Sequence, residues 1–158
     1  MNKLNLQKIE FQQKIYPGDF SEKEKELLEK ALDAAYKAYC PYSKFAVGCA
    51  VLLSNDIIIT GSNQENSSYP TGMCAERVAL FYAGAQFPNV RVQSLFIAAP
   101  KAPSHTIIAP CGSCRQVIYE TILRQKSECS IYFPSDKDIW IHLPDARHLL
   151  PWGFTLRD

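Results

Sequence analysis

Cys74-Ala75-Glu76-Arg77 and Pro110-Cys111-Gly112-Ser113-Cys114-Arg115 put three thiols and one carboxylate into two short motifs. A structural zinc is closed by four protein ligands, whereas a catalytic zinc keeps one position open for water. Three cysteines with an acidic residue beside the first therefore suggest a zinc that binds and activates water. Cys111 and Cys114 are three apart, so on one helix face their sulfurs can reach the same ion. Residues two apart do not share a face, so Cys74 and Glu76 are not both ligands in the ordinary helical sense. Glu76 is left as the proton carrier.

Three thiolates more than cancel the charge of Zn²⁺, which works against ionising a bound water. Free zinc lowers the pKa of water to about 9 and a favourable protein site to about 7. Something must drain charge from the sulfurs. Each motif sits where a loop is expected to turn into a helix, and free N–H groups with a positive dipole end favour thiolate there. Arg77, three positions after Cys74, can reach its sulfur and offset more of the charge. Two other readings stand beside this one. A closed structural zinc would add Cys49, Cys129 or a histidine, and a redox Cys111-x-x-Cys114 pair would leave Cys74 and Glu76 unexplained. Arg115 reads as a solvated helix charge.

The elements that must position these groups are legible as patterns. Leu4–Tyr16 alternates loosely and is a candidate extra strand. Ser21-Glu22-Lys23-Glu24 is a capping-box pattern. Leu27, Leu28, Ala31, Leu32, Ala35 and Tyr39 then follow at helical spacing, until Pro41 ends the run. Phe45–Leu53 and Ile57–Gly61 read as a hairpin through Ser54-Asn55-Asp56. Helices are expected from near Met73 to Gly84 and from Cys111 to Gln125. Strands are expected at Val92–Ala99, Cys129–Phe133 and Ile139–His142, with a helical turn or two at Pro144–Leu150. This order implies a mixed sheet with helices on both faces.

The bulk numbers bound the function. A chain of 158 residues with 47% apolar and 21% charged content is an ordinary globular composition, most simply one domain. The 17 basic and 16 acidic residues nearly cancel, which argues against a nucleic-acid binder, since those carry clustered Lys and Arg. No apolar run is long enough for a signal peptide or a membrane helix, so the expected compartment is cytoplasmic. Six cysteines then read as metal ligands or free thiols.

Several stretches, in order, resemble the cytidine deaminase family, in its small form that binds zinc through three cysteines. They are Pro41-Tyr-Ser-Lys-Phe45-Ala-Val-Gly48, Asn63-Gln-Glu65-Asn66, Tyr69-Pro70, Cys74-Ala-Glu-Arg77, Pro110-Cys-Gly-Ser-Cys-Arg-Gln116 and Leu149-Leu-Pro151. The resemblance implies a three-layer α/β/α fold with a mixed five-stranded sheet in a single deaminase domain, residues 1–158. Residues 1–20 are an N-terminal extension that adds an edge strand or covers an interface.

The implied reaction is hydrolytic deamination of cytidine and deoxycytidine in pyrimidine salvage. One Zn²⁺ per subunit sits on Cys74, Cys111 and Cys114. Glu76 moves protons from the activated water to the ring nitrogen beside C4 and then to the leaving ammonia. Asn63 and Glu65 match residues that hold the ribose hydroxyls, and Phe45 matches an aromatic that packs on the pyrimidine; as a bare sequence feature it reads equally as a core strand residue. Ala75 contacts the base through its backbone, and Gln116 supports the zinc site or lies on the helix surface. Relatives are homotetramers whose sites are completed by neighbouring subunits, which makes Phe154 a residue reaching into an adjacent site, with Trp152 as its competitor. Cys40, Cys49 and Cys129 are expected as small apolar residues. His105, His142 and His148 are expected in packing or surface roles.

Overall fold

Leu27, Leu28, Ala31 and Ala35 recur at helical spacing and are all buried, on the inner face of helix α1 (Glu22–Ala35) in the computed structural model, which describes residues 9–156. Its start is the expected capping box. The Ser21 Oγ accepts from the Glu24 N–H at 3.3 Å, and the Glu24 carboxylate accepts from the Ser21 N–H at 2.7 Å. The helix ends before Tyr39, whose spacing had suggested that it continues. Tyr39 instead bridges Gln64 with its backbone, donating to the Asn63 carbonyl and accepting from the Glu65 N–H.

The strands are β1 (Gln12–Ile15), β2 (Gly48–Leu53), β3 (Ile58–Ser62), β4 (Val92–Ala98), β5 (Ser130–Asp136) and β6 (Ile139–Leu143). They form one sheet in the order β1-β6-β5-β4-β2-β3. Among the described residues the sheet has six strands, not five. The sixth is β1, the edge strand expected of the N-terminal extension; the Leu4–Lys8 part of that expectation lies outside the described residues. Only the β4–β5 pairing is parallel, because helix α3 (Gly112–Gln125) crosses over between those strands.

The sheet is covered on both faces. Leu27, Leu28 and Ala31 of α1 pack with Phe20, Phe96, Tyr132 and Trp140 on one side. Helix α2 (Ala75–Gln86) and α3 pack on the other, where Ala79, Leu80, Ile118 and Ile122 meet Val51, Leu95, Ile97 and Ile131. The three layers of the expected fold are present.

Two glycines set how closely the layers approach. A Cβ at Gly48 would lie 1.9 Å from the Ala31 carbonyl oxygen, and one at Gly61 would lie 2.5 Å from that of Ala75. Gly61 therefore lets β3 meet the first turn of α2, the turn that follows Cys74.

The Glu24 carboxylate does more than cap α1. It pairs with Lys14 of β1, and the Lys14 ammonium also lies 5.5 Å from the centre of the Tyr132 ring. Burial alone would raise the Glu24 carboxyl, but the Lys14 ammonium and the Ser21 N–H outweigh it and hold the pKa down to about 2, against an ordinary 4.5. A depressed folded-state pKa contributes stability that is present above the ordinary value and is lost as pH falls through the folded one. Melting temperatures of Lys14→Met and the parent are expected to differ most above pH 4.5 and to converge towards pH 2. A difference that did not depend on pH would show that the ion pair contributes nothing to holding β1.

Candidate active site

Helices α2 and α3 begin just after their first cysteines. Cys74 and Cys111 are the N-cap residues, with extended backbone (ψ 154° and 166°), and neither side chain caps its own helix. Both sulfurs are thus free to face each other across the gap between the two helix ends. Cys114 lies in the first turn of α3 and is buried. The Cys74 and Cys111 sulfurs are 3.8 Å apart and those of Cys111 and Cys114 3.5 Å apart, with all three within 4.8 Å of one another.

No fourth cysteine, histidine or carboxylate joins this group among the described residues. Cys49 and Cys129 are packed in the core under α2 and α3, where burial pushes both thiols up and keeps them neutral. The closed four-ligand alternative therefore finds no ligand here. Three convergent sulfurs at two helix N-termini fit one Zn²⁺ per subunit.

The electrostatics follow from this crowding. The hydrogen bond from Cys114, and the charge of Arg77 beside it, hold the Cys74 thiol well below its usual range. Arg77 Nη2 stands 3.7 Å from the Cys74 sulfur, the contact expected from their spacing. The bond to Cys74 and burial hold Cys114 well above the thiol range. A cation at the centre of the cluster reverses that second effect. Glu76 is 5% exposed; burial first, and the negative charge of Cys74 second, raise its carboxyl above the usual carboxylate range. It also lies within hydrogen-bonding reach of the Cys114 thiol.

Cys74 and Arg77 form one wall of a cleft of about 610 Å³, and Tyr42, Asn63, Glu65 and Tyr69 form much of the rest. Asn63 follows β3, and its amide clamps the neighbouring segment. Its Oδ1 accepts from the Val47 N–H at 2.8 Å and its Nδ2 donates to the Phe45 carbonyl at 3.0 Å. The Glu65 carboxylate accepts from the N–H groups of Tyr42 and Ser43 at 2.9 and 3.2 Å. The Ser43 hydroxyl first, then those N–H groups, hold its carboxyl below the usual range. A carboxylate has about four acceptor sites and an amide nitrogen two donors, so both residues keep capacity for a ligand. Phe45 is half-buried just behind this clamp, and Ala75 is fully buried at the start of α2.

Arg115 departs from its sequence reading, and Gln116 takes a partner that its sequence reading did not name. Arg115 is half-buried rather than solvated: its Nε donates to the Pro110 carbonyl at 2.8 Å and its Nη1 to that of Leu149 at 3.4 Å. It ties the loop before Cys111 to the C-terminal segment, a partner 34 residues along the chain that helical spacing does not reveal. Gln116 has its side chain on the backbone of Phe154, 38 residues away. Phe154 is 67% exposed and Trp152 92% exposed, and neither lines the cleft of its own chain. His105 bonds Asp136, and His142 stacks on Tyr132 with ring centres 4.2 Å apart, both as packing or surface residues.

The likeness to known proteins agrees with this geometry. A family model described as the cytidine and deoxycytidylate deaminase zinc-binding region matches residues 21–127. A cytidine deaminase of Halalkalibacterium halodurans is 43% identical over 132 residues, which is 84% of this chain and 94% of that protein. The crystal structure of a cytidine deaminase from Burkholderia pseudomallei superposes with a TM-score of 0.70 at 34% identity, covering 85% of this chain and all of that one. One from Mycobacterium tuberculosis gives 0.67 at 31% identity, over 87% of this chain and all of its own. With 43% identity to a relative that it covers almost end to end, this chain belongs to the cytidine and deoxycytidylate deaminase zinc-binding family.

Proposed function

We propose that the chain is one zinc-dependent deaminase domain, residues 1–158, that converts cytidine and deoxycytidine to uridine and deoxyuridine in cytoplasmic pyrimidine salvage. The observation that carries this reading is the buried Glu76 carboxyl beside three convergent sulfurs. Three ligands leave room for water, and Glu76 is the proton-carrying group next to it.

Cys74, Cys111 and Cys114 would hold one Zn²⁺, which would supply the Lewis acidity that makes water nucleophilic near neutral pH. Glu76 takes a proton from that water and delivers it to the ring nitrogen beside C4. Glu76 then carries the second proton of the water to the amino group that leaves C4 as ammonia, with a C4 carbonyl left in its place. A carboxyl that burial raises above its ordinary value suits both transfers, since it must take up a proton as well as give one back. Arg77 offsets the thiolate charge that would otherwise weaken the metal's pull on water. Asn63 and Glu65 take the ribose hydroxyls, Phe45 packs near the pyrimidine, and the Ala75 backbone meets the base.

A nucleoside fits this cleft better than a nucleotide. Arg77 is the cation in its lining and is directed at Cys74, whereas a phosphate needs cations of its own. Self-association is supported by the outer surface, where Phe81 and Tyr82 of α2 are 51% and 55% exposed and Trp152 and Phe154 are more exposed still. A homotetramer would bury such surface and let neighbouring chains complete each cleft.

Mixing the zinc-loaded protein with cytidine is expected to give the ultraviolet change of conversion to uridine, and Glu76→Gln to slow it roughly 10²–10⁴-fold with zinc retained. No turnover of cytidine or deoxycytidine at full zinc loading would overturn the reading. Arg77→Ala is expected to lower kcat at least about tenfold, or to lose zinc sooner to a chelator, the cost of one unbalanced charge. Full kcat with full zinc content would remove Arg77 from the site. Sedimentation equilibrium is expected to give a particle of about four 17.8 kDa chains; a monomer at micromolar concentration would exclude shared clefts.

A further inference from the structure

The C-terminal segment after Leu149 is held on α3 through its backbone at Phe154. Gln116 Oε1 accepts from the Phe154 N–H at 3.0 Å, and Gln116 Nε2 donates to the Phe154 carbonyl at 2.8 Å. The side-chain amide therefore pairs with one residue in both directions, as a facing residue does in a β-ladder. A helical turn further on, Gly153 lies flat against Tyr119: a Cβ there would come within 2.5 Å of the ring. Arg115 grips the same segment at the Leu149 carbonyl. Meanwhile Phe154 is 67% exposed and contributes little burial of its own. Its position is thus set by the hydrogen bonds of Gln116 and the close seat at Gly153.

We infer that Gln116 is a positioning residue for Phe154, holding that ring in place for nucleoside binding instead of supporting the metal ligands. This rests on the reading that neighbouring copies complete each other's clefts. Gln116 lies two positions after Cys114 on α3, so its side chain leaves a different face from the sulfur. Both Gln116 hydrogen bonds go to Phe154 and none to Trp152, which is 92% exposed. This assigns Phe154 over its competitor. Since Gln116 and Cys114 share the first turns of one helix, the tail is referenced to the same rigid element as the metal site.

The test uses Gln116→Met, which keeps the length and apolar stem but loses both hydrogen bonds. Carboxypeptidase trimming of the full chain past residue 154 is expected to quicken about tenfold, the net worth of two hydrogen bonds. KM for cytidine is expected to rise by a similar factor, with kcat within about twofold and zinc content unchanged. Phe154→Ala is expected to raise KM likewise, and adding Gln116→Met to it to raise KM no further. Gln116→Glu keeps the acceptor but sets a carboxylate against the Phe154 carbonyl, so it is expected not to rescue. Zinc loss in Gln116→Met with unaltered trimming would overturn the inference in favour of metal support, and additive KM effects would uncouple the two residues. Trimming requires no substrate, so a chain inactive on cytidine would fail the proposed reaction while still reporting on the grip itself.

Discussion

The site depends on two helix N-termini meeting across a gap a few ångströms wide. Each begins with a cysteine whose backbone is extended and whose sulfur makes no cap of its own. Like-charged thiolates repel, and crowding three of them needs compensation. The dipoles of α2 and α3, the Arg77 guanidinium and a divalent cation provide it together. Moving either helix by an ångström would open the sulfur triangle. The packing of α2 and α3 on the sheet, with Gly61 giving up its side chain beneath Ala75, therefore serves the metal site directly.

The same economy shapes the cleft. Asn63 and Glu65 do not wait as free side chains for a ligand. They already hold the backbone of residues 42–47, which places Phe45 and the cleft rim before anything binds. Such preorganisation lowers the ordering cost of binding, and it leaves each polar group with spare hydrogen-bonding capacity. It also means that loss of either side chain disturbs the loop as well as any direct contact. Arg115 and Gln116 do for the C-terminal segment what Asn63 does for that rim.

Local signals in the sequence were strong wherever the cause was local. The capping box of α1, the helical stripe at Leu27, Leu28 and Ala31, and the Cys-x-x-Cys spacing each depend on neighbours within a turn, so their outcome could be read from the chain. Tyr39 shows the limit: it fitted the helical period, but backbone bonds to Asn63 and Glu65, more than twenty residues on, drew it into a bridge. The starts of α2 and α3 lie one or two residues later than expected, because Cys74 and Cys111 are caps instead of first-turn residues.

By itself the sequence determined the chemistry: three thiols, one carboxylate and one guanidinium, at spacings that admit a metal with a proton carrier beside it. Only the tertiary structure decided how many ligands converge, that Glu76 is buried enough to have its carboxyl raised, and that Cys49 and Cys129 stay in the core. It also decided that Arg115 and Gln116 hold distant backbone. The physical reason is range: residue type and helical spacing act over one turn. Burial, charge compensation and long-range hydrogen bonds depend on which elements the fold brings face to face.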